Sequence, residues 1–213
     1  MSVGHHRPLH RYRRHPHTAA SIGRTPTVRD LPEPPDATKA RELLAGLVVA
    51  GENDAPGYSR SKFPHWITQY GACDTREAVL QRDGRDVVQD VQCRAVSGTW
   101  YSEYDGKTVA SASGIDIDHI VPLKEAWCSG ASEWSTGERR AFANDLTHSQ
   151  LIAVSAGSNR AKGDKDPGNW RPPLQSYHCT HSRAWISVKS DYALTANQSE
   201  VDALSRMLDT CFA

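Results

Sequence analysis

The sequence predicts an α+β domain clamped by disulfides, and three observations carry that expectation. The alternating stretch "GIDIDHI" ends on Asp118-His119, and a short apolar run, Gln150 to Val154, and a helical segment carrying Asn159 follow it further along. Upstream of that stretch, β-prone residues gather around Asp-Gly pairs that mark turns. The last forty residues have helical periodicity, with Cys179 near one end and Cys211 near the other.

The elements follow in chain order. Residues 1–36 read as a disordered arm: "HHRPLHRYRRHPH" is rich in His, Arg and Pro, and "LPEPPD" follows it. Five of the ten histidines fall in the first 17 residues. Metal capture or phosphate binding is one reading of that arm, and a solvated tail is the plainer one. The spacing of Leu43, Leu44, Leu47 and Val48 predicts a helix over Thr38–Ala50, ended by Gly51. "YSRSKFPHW" reads as a loop anchored by Tyr58, Phe63 and Trp66.

Glu77 to Val91 reads as a β-hairpin, because Asp83-Gly84 stands between two β-prone runs. A register that pairs Arg82 with Arg85 brings Cys73 and Cys93 to the open end of the hairpin, where a disulfide would clamp it. Asp105-Gly106 marks a second turn, the strand bearing Asp118 and His119 comes next, and Pro122 stops it. Ser135-Thr136-Gly137-Glu138 fits a capping box within a largely helical stretch, Lys124 to Leu146. After the second short strand, Asn159 rides a helical segment that breaks at Pro167-Gly168.

Trp185, Val188 and Tyr192 line one C-terminal helix, and Val201, Leu204 and Leu208 line another. An antiparallel helical hairpin would bring Cys179 and Cys211 together as a second disulfide. Cys128 is then left as a free thiol.

Composition bounds the function. The mean hydropathy is −0.60 and 38% of residues are hydrophobic, which is enough for one core. No run approaches the roughly 18 apolar residues of a membrane span. Residues 1–41 carry 8 basic and 3 acidic side chains, leaving 17 basic and 22 acidic in the remainder, a net of −5. A mildly acidic body gives no support to a tight, non-specific nucleic-acid binder, yet it allows an enzyme that must release a nucleic-acid product. None of the five cysteines forms a CxxC pair, so a thiolate zinc site is not expected. Disulfides imply an oxidising compartment, hence an extracellular protein, although residues 1–30 contain no apolar signal segment.

Strand, strand, helix is the order that a one-metal nuclease site needs. A histidine on the first strand activates water, and an adjoining carboxylate and a helix residue hold a divalent cation. "DIDHIVPL" together with "QLIAVSAGSNRAKGDKDP" resembles the HNH, or His-Me finger (ββα-metal), endonucleases. Gln150-Leu151 opens the second strand, Asn159 stands nine residues after Gln150, and Lys162 three beyond Asn159, as in the generic HNH pattern. From about Tyr58 to Cys211 the chain is similar to secreted actinobacterial HNH-family nucleases. It shares "GYSR..FPHW", "CDTRE", "GTWYS.YDG", "DIDHIVPL.EAW.SGA..W", "FANDL", "LIAVS...N..KGD.DP..W" and the C-terminal cysteines.

The resemblance implies a nuclease domain over 37–213 with its core motif at 115–170. It implies that His119 is the general base, and a neutral imidazole, with an ordinary pKa of about 6.5, suits that task. Asp118 and Asn159 would hold one Mg²⁺ or Mn²⁺. Gln150 stands where the family has Asn and would orient the loop and the base; Asn144 in "FANDL" is the alternative. Arg76, Arg160 and Lys162 are candidates for the substrate phosphates.

Asp116 reads as support for the metal site, and Glu77 as either a partner of the site or a plain strand residue. His65 and His148 carry weaker claims, and Asp164 and Asp166 read as turn residues. The expected activity is low-specificity hydrolysis of DNA, in preference to RNA, by a monomer that does not enter membranes. A delivered nuclease toxin using the same site, and a non-catalytic nucleic-acid or metal binder, are the rival readings.

Overall fold

A computed structural model of the protein describes Met1 and residues 31–212. It is a mixed α and β structure with two disulfides. Residues 31–36 lie against the domain: Arg183 donates to the carbonyls of Pro35 (2.6 Å) and Pro34 (2.9 Å) and pairs with Glu33, and Ser149 donates to the Pro32 carbonyl. The last residues of the expected 1–36 arm are therefore packed, and residues 2–30 lie outside the described ones.

Helix α1 (Ala37–Gly46) starts where the Asp36 carboxylate accepts from the Lys39 amide. It stops a turn earlier than its apolar spacing predicts. Leu47 turns extended, and Val48 and Ala50 exchange backbone hydrogen bonds with Ala196, so tertiary pairing overrides helix continuation. A loop follows with a 3₁₀ turn at Arg60–Lys62, pinned by ring contacts among Tyr58, Phe63 and Trp127.

Two short strands, β1 (Thr68–Tyr70) and β2 (Cys73–Asp74), pair and lead into α2 (Thr75–Asp83). The hairpin expected over Glu77–Val91 is absent: its first arm is α2, and only the second is a strand, β3 (Gly84–Gln89). Asp74 caps α2 by accepting from the Glu77 amide. Gly84 has φ −89°, which is no turn conformation. A Cβ there would lie 2.6 Å from the Trp100 indole nitrogen, so the glycine serves close packing. Glu77 is a helix residue whose carboxylate accepts from the Ala95 amide. Strands β4 (Ala95–Ser102) and β5 (Lys107–Val109) complete a three-stranded antiparallel sheet in the order β3-β4-β5. Cys73 and Cys93 are bonded with Cα atoms 5.1 Å apart, now joining the start of α2 to the β3–β4 turn.

The centre is a pair of antiparallel strands, β6 (Ile115–His119) and β7 (Leu151–Ser155), in register from Ile115↔Ser155 to His119↔Leu151. Between them lie α3 (Leu123–Cys128) and α4 (Thr136–Ala143), the latter opened by the expected Ser135–Glu138 capping box. Helix α5 (Ala156–Lys162) follows β7 directly, with Ser155 as its cap. Ile115, Ile117, Leu151 and Ala153 pack with Val79, Leu80 and Trp100 on one side of the strand pair. Ile152 and Val154 join the larger core on the other, which includes Trp185, Ile186 and Leu204.

Helices α6 (His178–Asp191) and α7 (Gln198–Asp209) pack together as the C-terminal hairpin. The Cys179–Cys211 disulfide joins the start of one to the end of the other. Cys128 is a free thiol. Among the described residues no helix is long and apolar enough to cross a membrane. Replacing Cys179 and Cys211 together by Ser should lower stability by about 2–4 kcal/mol, the usual gain from closing a loop of this size. Urea unfolding checks this, and an unchanged midpoint would mean that helix packing alone holds the hairpin.

Candidate active site

Strand alternation puts His119 and Asp118 on opposite faces of β6, each seized by a different part of the core. His119 is 4% exposed. Its Nε2 lies 2.9 Å from the carbonyl oxygen of Ala143, the last residue of α4. A carbonyl only accepts, so Nε2 carries the hydrogen and Nδ1 is the basic nitrogen of the neutral ring. Burial pushes the imidazole pKa down to about 3, against the pull of that hydrogen bond, and keeps the ring neutral at physiological pH. The Trp66 indole stacks on the imidazole, with ring centroids 5.7 Å apart and planes 13° from parallel.

Asp118 is 5% exposed. Tyr104 donates to Oδ2 at 2.5 Å, and the Lys162 ammonium bridges both carboxylate oxygens at 3.0 and 2.8 Å. Burial pushes the Asp118 pKa up while Lys162 pulls it down, and burial likewise lowers that of Lys162. Lys162 also donates to the His119 carbonyl at 2.8 Å. It is fully buried, so it cannot serve as the surface phosphate contact expected of it. Its work is to hold the Asp118 carboxylate and the end of β6.

Asn159 projects from α5 and donates from Nδ2 to Asp116 Oδ2 at 3.1 Å. Its amide oxygen accepts no hydrogen bond among the described residues. Asp116 thus orients Asn159, and Arg160 approaches the same carboxylate at 3.7 Å. The start of α5 is fixed from the β4–β5 turn, where Asp105 accepts from the Ser155 and Ser158 hydroxyls. Burial would raise the Asp105 pKa, but those hydrogen bonds prevail and hold it at about 2. Gly163, at φ +56°, ends α5 in a left-handed conformation that suits glycine.

Gln150 is fully buried and exchanges two hydrogen bonds with the Val121 backbone, at 3.1 and 2.9 Å. It fastens the chain just beyond His119 and does not line the cleft. Arg76 donates to the carbonyls of Ala112 and Ile115, bracing the start of β6. Both hydrogen bonds leave from one guanidinium nitrogen, so Arg76 is tied to the strand start, and it does not line the cleft. Asn144 bonds to Pro64 and Ile67, beside Trp66. His148 pairs with Asp145, and His65 meets the Phe63 carbonyl.

Asp118, His119, Asn159 and Arg160 come together around one cavity of about 180 Å³. Arg60 and Asp164 also line it, and neither was expected there. Asp166 does shape the turn, accepting from Asn169 and Asn197, whereas Asp164 faces the cleft. Arg60 stands between the aromatic anchors Tyr58 and Phe63. Those anchors, within the shared stretch "GYSR..FPHW", were the signal that its loop has a fixed place.

Asp118 and Asn159 offer oxygens at the cleft, which suits a hard divalent cation that keeps several waters. A carboxylate offers about four acceptor positions. Tyr104 and Lys162 therefore leave Asp118 able to take a further partner, so the residues fit such an ion. Among the described residues one group of acidic side chains is close-set, away from the cleft: oxygens of Glu52, Glu125 and Glu200 lie within 4.8 Å of one another. The Lys189 ammonium already sits against its two buried members, 2.6 Å from Glu125 and 3.2 Å from Glu200. A larger cavity, about 520 Å³ and walled by Glu33, Tyr101 and Tyr177 among others, shares none of the cleft residues. Size favours the larger cavity, which also carries Glu33, Asp83, Glu103 and Arg85, but only the smaller one brings a histidine and an asparagine to a carboxylate.

Residues 74–207 match the family described as GmrSD restriction endonucleases, C-terminal domain. The chain is also 53% identical over 195 residues to an uncharacterized secreted protein of Arthroderma benhamiae, a match spanning 91% of this chain and 96% of the relative. No solved structure matches it.

Proposed function

The chain belongs to the family of GmrSD restriction endonuclease C-terminal domains, and from that membership and the cleft geometry we propose that it is a metal-dependent endonuclease. The reading takes β6, β7 and α5 as a ββα-metal, or HNH, core. The observation that carries it is a buried histidine whose Nε2 is tied to a backbone carbonyl, leaving Nδ1 as the basic nitrogen, next to an anchored carboxylate at one cleft with two arginines.

His119 Nδ1 takes the proton from the attacking water, and Nε2 stays tied to Ala143 so that the ring keeps its tautomer. Asp118 and Asn159 would hold one Mg²⁺ or Mn²⁺. When bound, that ion supplies Lewis-acid stabilisation of the phosphate and of the departing 3′-oxygen. Lys162 and Tyr104 keep Asp118 in place, Asp116 does the same for Asn159, and Gln150 steadies the chain after the base. Arg60 and Arg160 offer the charge that a backbone phosphate needs. The products are 5′-phosphate and 3′-hydroxyl ends.

DNA is the preferred substrate over RNA, and the mildly acidic body favours modest affinity with little sequence preference. The two disulfides and the description of the relative support an extracellular site of action.

Calorimetric titration with Mn²⁺ and a cleavage assay test the assignment together. Asn159→Ala should weaken Mn²⁺ binding by about tenfold or more, the scale of losing a group at a metal site. Arg60→Ala should bind Mn²⁺ as wild type does and lose cleavage. Equal Mn²⁺ affinity in Asn159→Ala and wild type would overturn the metal assignment.

A further inference from the structure

Trp66 has φ +56°, a left-handed conformation that is strained for a bulky aromatic residue. Such strain persists only where the surroundings over-determine it, and here they do. Asn144, buried at the end of α4, donates to the Pro64 carbonyl at 2.7 Å and accepts from the Ile67 amide at 3.1 Å. One side chain thus grips the loop on both sides of Trp66. Asn144 is itself fixed by the Thr75 hydroxyl at 2.7 Å and the Arg140 carbonyl at 2.7 Å.

The residue before Asn144 is Ala143, whose carbonyl meets His119 Nε2. Two consecutive residues therefore control the imidazole in two ways. Ala143 fixes one nitrogen in the plane of the ring. Asn144, by holding the Trp66 loop, sets the indole that lies nearly parallel to that plane. A hydrogen bond alone leaves the ring able to rock about the Nε2–oxygen line, and a stacked indole opposes that rocking.

We infer that Trp66 is a positioning residue whose indole holds the plane of the His119 imidazole, and with it the direction of Nδ1. This rests on the proposed role of His119 as base. Trp66 also packs beside the core formed by Val79, Leu80 and Ile117. A purely covering role would be filled as well by any apolar side chain of similar bulk, and that difference makes the inference testable.

The test compares wild type with Trp66→Phe, which keeps a ring, and Trp66→Leu, which keeps apolar cover without one. The readouts are kcat and KM for plasmid cleavage, thermal unfolding, and imidazole ¹H–¹⁵N NMR spectra of the metal-free protein. Trp66→Phe should retain most of kcat. Trp66→Leu should lose kcat by about tenfold to a hundredfold, the usual penalty of misplacing a catalytic group, with KM unchanged. The spectra should show one sharp His119 tautomer in wild type and Phe, and an averaged or mixed pattern in Leu. Equal kcat in the Phe and Leu variants, or identical His119 spectra in all three proteins, would overturn the inference. If Trp66→Leu does not fold, Trp66→Met takes its place under the same criteria. If wild type cleaves nothing, the nuclease reading falls, and the spectra alone decide whether the indole holds the ring.

Discussion

Lys162→Met should destabilise the protein by about 3–5 kcal/mol, the range for breaking a buried ion pair by removing one partner. Lys162 is fully buried, and its ammonium reaches both oxygens of Asp118 and the His119 carbonyl. Methionine fills comparable space beside the Trp185 ring, which the ammonium approaches at 5.9 Å. The loss is therefore electrostatic and not a cavity. It leaves a buried carboxylate with Tyr104 as its remaining donor. Adding Asp118→Asn removes the stranded charge, so the double variant should be more stable than Lys162→Met alone, with a coupling of about 0.5–3 kcal/mol. Urea unfolding of the three variants closes the cycle. A Lys162→Met midpoint equal to that of wild type would show that the ammonium does not hold Asp118.

His119→Ala should lower single-turnover cleavage by about a hundredfold to ten-thousandfold, the contribution of a positioned general base. It should bind Mn²⁺ as wild type does, because the imidazole is assigned no part in holding the metal. The substitution also frees the Ala143 carbonyl, so a stability loss of about 1–3 kcal/mol is expected. Cleavage is accordingly compared at a temperature where both proteins are folded. Undiminished cleavage by folded His119→Ala would remove the histidine from the mechanism.

The strand–strand–helix order was legible because each piece carries its own signal. β6 alternates cleanly, β7 is a short apolar run, and α5 opens straight from a capping serine. The capping box at Ser135 and the Cys179–Cys211 bond were legible for the same reason. The misreading at Asp83-Gly84 has a physical cause. A glycine flanked by β-prone residues signals a turn, but this one exists so that Trp100 can approach. The Asp74-x-x-Glu77 spacing just upstream was the signal for α2, since an acid at the cap and Glu three residues on is a helix start. The Cys73–Cys93 bond was thus reached from a register that does not exist.

At the cleft, Asp118, His119 and Asn159 stood out by residue type and spacing, whereas their partners did not. The tie to His119 comes from a backbone carbonyl 24 residues away, and no side-chain pattern marks a carbonyl. Lys162 read as a surface cation because lysine is rarely buried without a partner, and its partner lies 44 residues upstream. Arg60 reaches the cleft from a loop whose place depends on tertiary aromatic contacts.

The most direct measurement is cleavage of supercoiled plasmid by the purified protein, with both disulfides intact, in Mg²⁺, in Mn²⁺ and in EDTA. The account predicts nicking or degradation in either metal, its arrest by EDTA, and products with 5′-phosphate and 3′-hydroxyl ends. Cleavage that persists in EDTA, or no cleavage of DNA or RNA with any divalent metal, would contradict it.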